Sequence, residues 1–189
     1  MDQISVAVVG HSFVVRLNNF ILADRDTDLN FGLRKVDVQF LGTSGLTIDR
    51  LREVQEDLVE LQPKVIVLLL GENDIKQDGV PEELALKLAA AVTMISTWAG
   101  GAQVICCELM PRYYESDYKY FVQGYNDFAE EVNGHLKLEL LSSQNCAFWR
   151  HNFAVRKVYF ADDGVHLNNP GTFRLYKSIR HCIIMNGLK

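Results

Sequence analysis

Short apolar runs alternate with longer segments of helical period along most of this chain, and no other feature narrows its fold as far. The runs Ile4–Val9, Lys35–Leu41, Lys64–Leu70, Ala102–Leu109 and Cys146–His151 are rich in Val, Ile, Leu and aromatics and read as five strands. Between them, Phe13–Ala23, Thr47–Leu61, Pro81–Ala99 and Ser116–Leu141 carry apolar residues at helical spacing, and Pro170–Met185 closes the series as a last helix. Such alternation is the pattern of crossover units on a parallel sheet, so the spacing predicts an α/β fold. Pro81 and Pro170 suit first-turn positions and Asn169 is placed to cap the last helix, while Pro63 and Gly100-Gly101 stop the helices before them. A chain of 189 residues with 48% hydrophobic content and no repeats or linker-like tracts is expected to form one domain over residues 1–189.

Charge and cysteine usage remove several function classes. The balance is mildly acidic, 24 Asp+Glu against 19 Lys+Arg, with no basic run to neutralise a track of phosphates, so nucleic-acid binding by this domain is disfavoured. The N-terminal apolar run lacks a basic flank and a small-residue cleavage site, and nothing approaches a membrane span. A soluble, intracellular and cytoplasmic protein is expected. Cys106, Cys107, Cys146 and Cys182 lack metal-ligand spacing and read as reduced core thiols. His135, His151 and His181 are scattered without ligand pairing and read as structural or surface residues, so no metal is expected.

Ligands of open α/β sheets bind beyond the carboxyl ends of the strands, and four such ends carry polar residues. They are Gly10-His11-Ser12, the glycine-bearing turn with Gly45, Gly71-Glu72-Asn73-Asp74, and the loop Asp163-Gly164-Val165-His166 before the last helix. A serine hydroxyl is a weak nucleophile until an imidazole takes its proton and a carboxylate orients that imidazole. Ser12, directly after a buried strand, is the candidate nucleophile, His166 the candidate base and Asp163, three residues earlier, its orienter. The Ser12 and Gly45 backbone N–H groups and the Asn73 amide are candidate oxyanion donors. Alone, each feature has a plain structural explanation: a helix cap, a turn, a surface loop. Their coincidence at one rim, in the order one mechanism requires, points to acyl transfer.

These four blocks resemble those of the SGNH hydrolases, the GDSL-like esterases and lipases, whose members contribute a Ser, a Gly, an Asn and a His in this order. The resemblance implies a flavodoxin-like three-layer α/β/α sandwich with a five-stranded parallel sheet. It implies a Ser12, Asp163 and His166 triad, an oxyanion hole of Ser12, Gly45 and Asn73, and no metal or organic cofactor. Family substrates include acyl esters of lipids, acetylated sugars and thioesters, so a small ester substrate is expected and a lipid one stays open. One departure stands out: the usual aspartate before the nucleophile is His11, read here as a turn-stabilising residue. The stretch Val8–Val14 is similar to the esterase-like domains in the first open reading frame of LINE-type retrotransposons and their animal relatives. That likeness implies neighbouring domains or self-association.

Two rival readings stay open at this stage, a catalytically silent domain kept for binding or self-association, which His11 favours, and an acyltransferase. Three lesser expectations follow from the remaining polar residues. The aromatic stretch Pro111–Phe121 is a helix start or a substrate-contacting flap; Glu72 is a solvated turn carboxylate; and Arg150, Arg156 and Lys157 favour anionic head groups. Little material remains for a lid, which implies an open site and a small acyl group.

Overall fold

The computed structural model of the chain describes residues 3–113, 119–143, 145–153 and 156–187. Its five strands are β1 (Ile4–Gly10), β2 (Val36–Gly42), β3 (Val65–Leu69), β4 (Gln103–Cys107) and β5 (Cys146–Trp149). All neighbours pair in parallel, in the order β2-β1-β3-β4-β5. The α-helices are α1 (Ser12–Ala23), α2 (Gln55–Leu61), α3 (Pro81–Trp98), α4 (Lys119–Leu141) and α5 (Asn169–Cys182). This is the α/β architecture the apolar spacing predicts.

The strands are apolar on both faces because helices cover both. Ala7, Val9, Ile66, Leu68, Val104 and Cys106 pack on one side against Leu58 of α2, Leu88 and Ile95 of α3 and Leu136 of α4. Val6, Val8, Val67, Leu69, Ile105 and Cys107 pack on the other against Val14 and Leu17 of α1 and Leu175 and Ile179 of α5. Each fully buried aliphatic side chain contributes about 1.5–3 kcal/mol relative to exposure. The adjacent thiols therefore point into opposite cores. Burial pushes Cys106 up to about 12, and all four cysteines are unbridged.

Several boundaries differ from expectation for local reasons. The segment expected as one helix over Thr47–Leu61 is a 3₁₀ helix at Ile48–Val54 running into α2. Its apolar residues Ile48, Leu51 and Val54 recur every third position, the 3₁₀ period, before the four-residue step to Leu58. Asn168, not Asn169, caps α5: its side-chain oxygen accepts from the Gly171 N–H at 2.9 Å. That helix passes into a π turn at Ile183–Gly187, so the regular part of the expected Pro170–Met185 segment is shorter. β5 stops at Trp149, two residues early, and His151 is already engaged by side chains. The expected helix start at Ser116 and residues 114–118 of the aromatic stretch lie outside the described residues. Among the described residues no helix is long and apolar enough to cross a membrane.

The chain passes from β1 to β2 on one side and then to β3 on the other. The loops after β1 and β3 thus flank a topological switch point, the crevice where such sheets bind ligands.

Candidate active site

Ser12 is the first residue of α1, directly after the carboxyl end of β1. A Cβ on the preceding Gly10 would lie 2.2 Å from the Leu69 carbonyl oxygen, so only glycine lets β1 run this close to β3 before the turn. The Ser12 hydroxyl lies 3.1 Å from His166 Nε2, although 154 residues separate them. His166 Nδ1 lies 2.7 Å from Asp163 Oδ2. Asp163 is an acceptor, so the proton sits on His166 Nδ1; Nε2 keeps its lone pair and receives the Ser12 O–H.

A small hairpin fixes the loop that carries Asp163 and His166. Phe160 and Leu167 pair antiparallel, and the Ala161 N–H donates to the His166 carbonyl at 2.7 Å. The Asn168 amide donates to the Val158 and Phe160 carbonyls. Asp163 Oδ1 accepts the Val165 and His166 backbone N–H groups at 2.9 and 2.8 Å. Partial burial alone would raise the Asp163 carboxyl, but these two bonds and the imidazole outweigh it and hold it near about 2. The carboxylate is ionised at any physiological pH.

The remaining predicted residues stand on neighbouring loops. Gly45 adopts φ 70°, a left-handed turn that suits glycine, and its carbonyl accepts Arg50 Nη1 at 2.9 Å. Its N–H has no partner among the described residues. The Asn73 amide donates one hydrogen to the Leu46 carbonyl at 3.0 Å and retains a second. Ser12 and Asn73 share a cavity of about 20 Å³ with Met110, Arg112, Tyr125 and Val165; Gly45 is not among its walls. Asp74 accepts the Ile48 N–H at 3.1 and 3.3 Å, and burial pushes its carboxyl up to about 6.

Glu72 departs from its expected role as a solvated carboxylate. It is buried, with Oε2 at 2.6 Å from His11 Nε2 and Oε1 accepting the Met110 N–H at 3.2 Å. Burial opposes ionisation, yet the charge and hydrogen bond of His11 bring its carboxyl below the ordinary value. The pair bridges the turns after β1, β3 and β4. Arg150 also departs from expectation: it pairs with Glu108 at 2.8 Å and with Glu130, so its charge is already neutralised. His151 is buried, with Nδ1 at 2.8 Å from the Ser178 hydroxyl, and burial pushes it down to about 4. Within the aromatic stretch, Tyr113 packs on Phe160. Spacing gives no signal for Arg112, whose place on the cavity wall depends on the path of the chain after β4. Nor does it mark the His11–Glu72 contact, although the polar type of both residues, one in the Ser12 block and one in the Asn73 block, was visible.

A parallel sheet covered by helices on both faces thus carries a hydroxyl, an imidazole and a carboxylate in series at its carboxyl rim. This chain belongs to the GDSL-like Lipase/Acylhydrolase family, whose model matches residues 10–172. No curated protein matches it. Solved structures of similar fold include a carbohydrate acetylesterase from Sinorhizobium meliloti, 18% identical with a TM-score of 0.77, covering 97% of this chain and 99% of that one. A lipase/acylhydrolase from Enterococcus faecalis is 17% identical with a TM-score of 0.69, covering 96% and 95%. An acetylxylan esterase from Geobacillus stearothermophilus, solved as a catalytic mutant, is 14% identical with a TM-score of 0.66, covering 96% and 94%. At these identities the likeness concerns the fold.

Proposed function

We propose that the chain is a carboxylic ester hydrolase working through an acyl-enzyme on Ser12. The observation that carries this reading is the series Ser12 Oγ, His166 Nε2 and Nδ1, and Asp163 Oδ2, at 3.1 and 2.7 Å. Ser12 Oγ attacks the ester carbonyl carbon while its proton passes to His166 Nε2. The carbonyl oxygen becomes an oxyanion facing the Ser12 N–H and the Asn73 amide, both at the cavity beside the nucleophile. As the tetrahedral species collapses, the carbon–alkoxide bond breaks and His166 returns the proton to the departing alcohol. A water, deprotonated in turn by His166, then attacks the acyl-enzyme and frees the acid and Ser12. Asp163, ionised and held at three points, fixes the His166 tautomer and favours the imidazolium.

The acyl group in this reading is short. The cavity of about 20 Å³ at Ser12 has room for roughly one water-sized group, which suits an acetyl methyl and not a lipid chain. The acetylesterases among the structures of similar fold support the same choice. The unbridged thiols support a reducing, cytoplasmic setting, with residues 1–189 as one domain. Kinship with the LINE-element domains, resting on Val8–Val14, would add neighbouring segments to it. The test is fluorophosphonate labelling of wild type and Ser12→Ala beside turnover of p-nitrophenyl acetate. Labelling and turnover lost only in the variant are expected, and a folded wild type that does neither would overturn the reading. Partition of the acyl group between water and added alcohols separates hydrolysis from transfer.

A further inference from the structure

Arg112, with the Tyr125 ring against its guanidinium, borders two adjoining cavities at the rim. One is the small cavity at Ser12; the other, of about 200 Å³, is lined also by Lys76, Gln77, Tyr125 and Phe128. Its position is fixed at several points. The Arg112 N–H donates to Asn126 Oδ1 at 2.8 Å and the Asn126 amide donates back to the Arg112 carbonyl at 3.0 Å. The guanidinium carbon lies 4.0 Å over the Tyr125 ring, and Nη2 donates to the Glu72 carbonyl at 3.2 Å.

Among the described residues no carboxylate lies within ion-pairing distance of this guanidinium, whereas Arg50 and Arg150 have theirs at 2.7 and 2.8 Å. The nearby Glu72 carboxylate is committed to His11. Most of the fork's donors therefore remain available, on a half-buried side chain already held in place, in a chain whose net charge is −5. A cation ordered in advance at a cavity wall matches an anion's planar or tetrahedral oxygens at little entropic cost. Lys76 adds a second positive charge to the larger cavity. It also borders a groove carrying Asp49, Asp74, Asp78 and Glu83, so the discrimination falls to Arg112.

We infer that Arg112 selects esters whose alcohol portion carries an anionic group, seated in the larger cavity while a short acyl group occupies the cavity at Ser12. The small volume at Ser12 is what assigns the anion to the alcohol side. This inference rests on the esterase reading and makes it narrower.

The test compares 4-acetoxybenzoate with its methyl ester, methyl 4-acetoxybenzoate, on wild type, Arg112→Gln and Arg112→Lys. Loss of a hydrogen-bonded charge pair is worth roughly 1.5–3 kcal/mol, so Arg112→Gln is expected to lower kcat/KM for the anionic ester at least about tenfold more than for the neutral one, chiefly through KM. Arg112→Lys should recover part of that discrimination. Competitive inhibition of wild type by 4-hydroxybenzoate, stronger than by 4-hydroxybenzamide, gives a second reading that needs no variant. Equal losses on both esters, or equal inhibition by both compounds, with Ser12 still labelled by fluorophosphonate, overturn the Arg112 assignment alone. A folded wild type with unlabelled Ser12 overturns the esterase reading and this inference with it.

Discussion

His11 and Glu72, 61 residues apart, meet at 2.6 Å with both side chains buried, immediately beside the candidate nucleophile and the candidate oxyanion donor Asn73. Removing one member of such a pair strands the other. Glu72→Leu should therefore destabilise the fold by about 3–5 kcal/mol, read from urea unfolding. Glu72→Gln keeps one oxygen for the Met110 N–H and turns its NH2 toward His11 Nε2, which can accept when the ring proton is on Nδ1, so its cost should be clearly smaller. Equal costs would show that the charge, not the bridge between turns, matters.

Asp163→Asn should reduce kcat by about 10³–10⁴ with little change in KM, because an amide can hold the imidazole in the wrong tautomer. The pH dependence of folding provides a separate check. The Asp163 carboxyl is held near about 2, below its unfolded value, so its stabilisation is complete above the unfolded range and disappears only as pH falls through about 2. Thermal melts of the variant and wild type should differ by a constant amount from pH 5 to pH 8 as far as this group is concerned.

Asn73→Leu removes a side-chain donor beside Ser12 and leaves the Leu46 carbonyl without its partner. If the amide stabilises the oxyanion, kcat should drop by about 10²–10³. Phosphonylation of Ser12, which also builds negative charge on oxygen, should slow in parallel; unaltered labelling would remove Asn73 from the mechanism.

Asp74 gives the opposite pH sign to Asp163. Burial raises its carboxyl to about 6, so its favourable contribution is present below the unfolded value and is lost as pH rises through about 6. Asp74→Asn keeps an oxygen for the Ile48 N–H and carries no charge. The variant should melt higher than wild type at pH 7.5, with the gap closing toward pH 4.

What could be read from residues alone follows from the range of the forces involved. The strands and most helices were legible because burial on two faces leaves near-continuous Val, Ile and Leu runs such as Val65–Leu69. Ser12, Asn73, Asp163 and His166 were legible as candidates because each sits at the end of an element whose end could be located. The His11–Glu72 contact and the neutralisation of Arg150 by Glu108 and Glu130 were not, since partners 61 or 42 residues apart leave no local periodicity. Helix detail was off by one residue at the start of α5, where Asn168 and Asn169 are chemically identical candidates for the cap. The split at Val54 was present as a three-residue spacing that a helical template absorbs.

The placement of the candidate triad also bears on when the chain becomes reactive as it is made. Ser12 leaves the ribosome with the first strand, but its partner His166 lies on the hairpin just ahead of α5, the helix that covers one face of the sheet. Synthesis proceeds at about 5–20 residues per second, so the serine exists for many seconds before an imidazole can reach it. On the proposed mechanism, ester cleavage is reserved for a chain whose sheet has closed, and an interrupted translation product, however well its first strands pair, carries an unactivated alcohol.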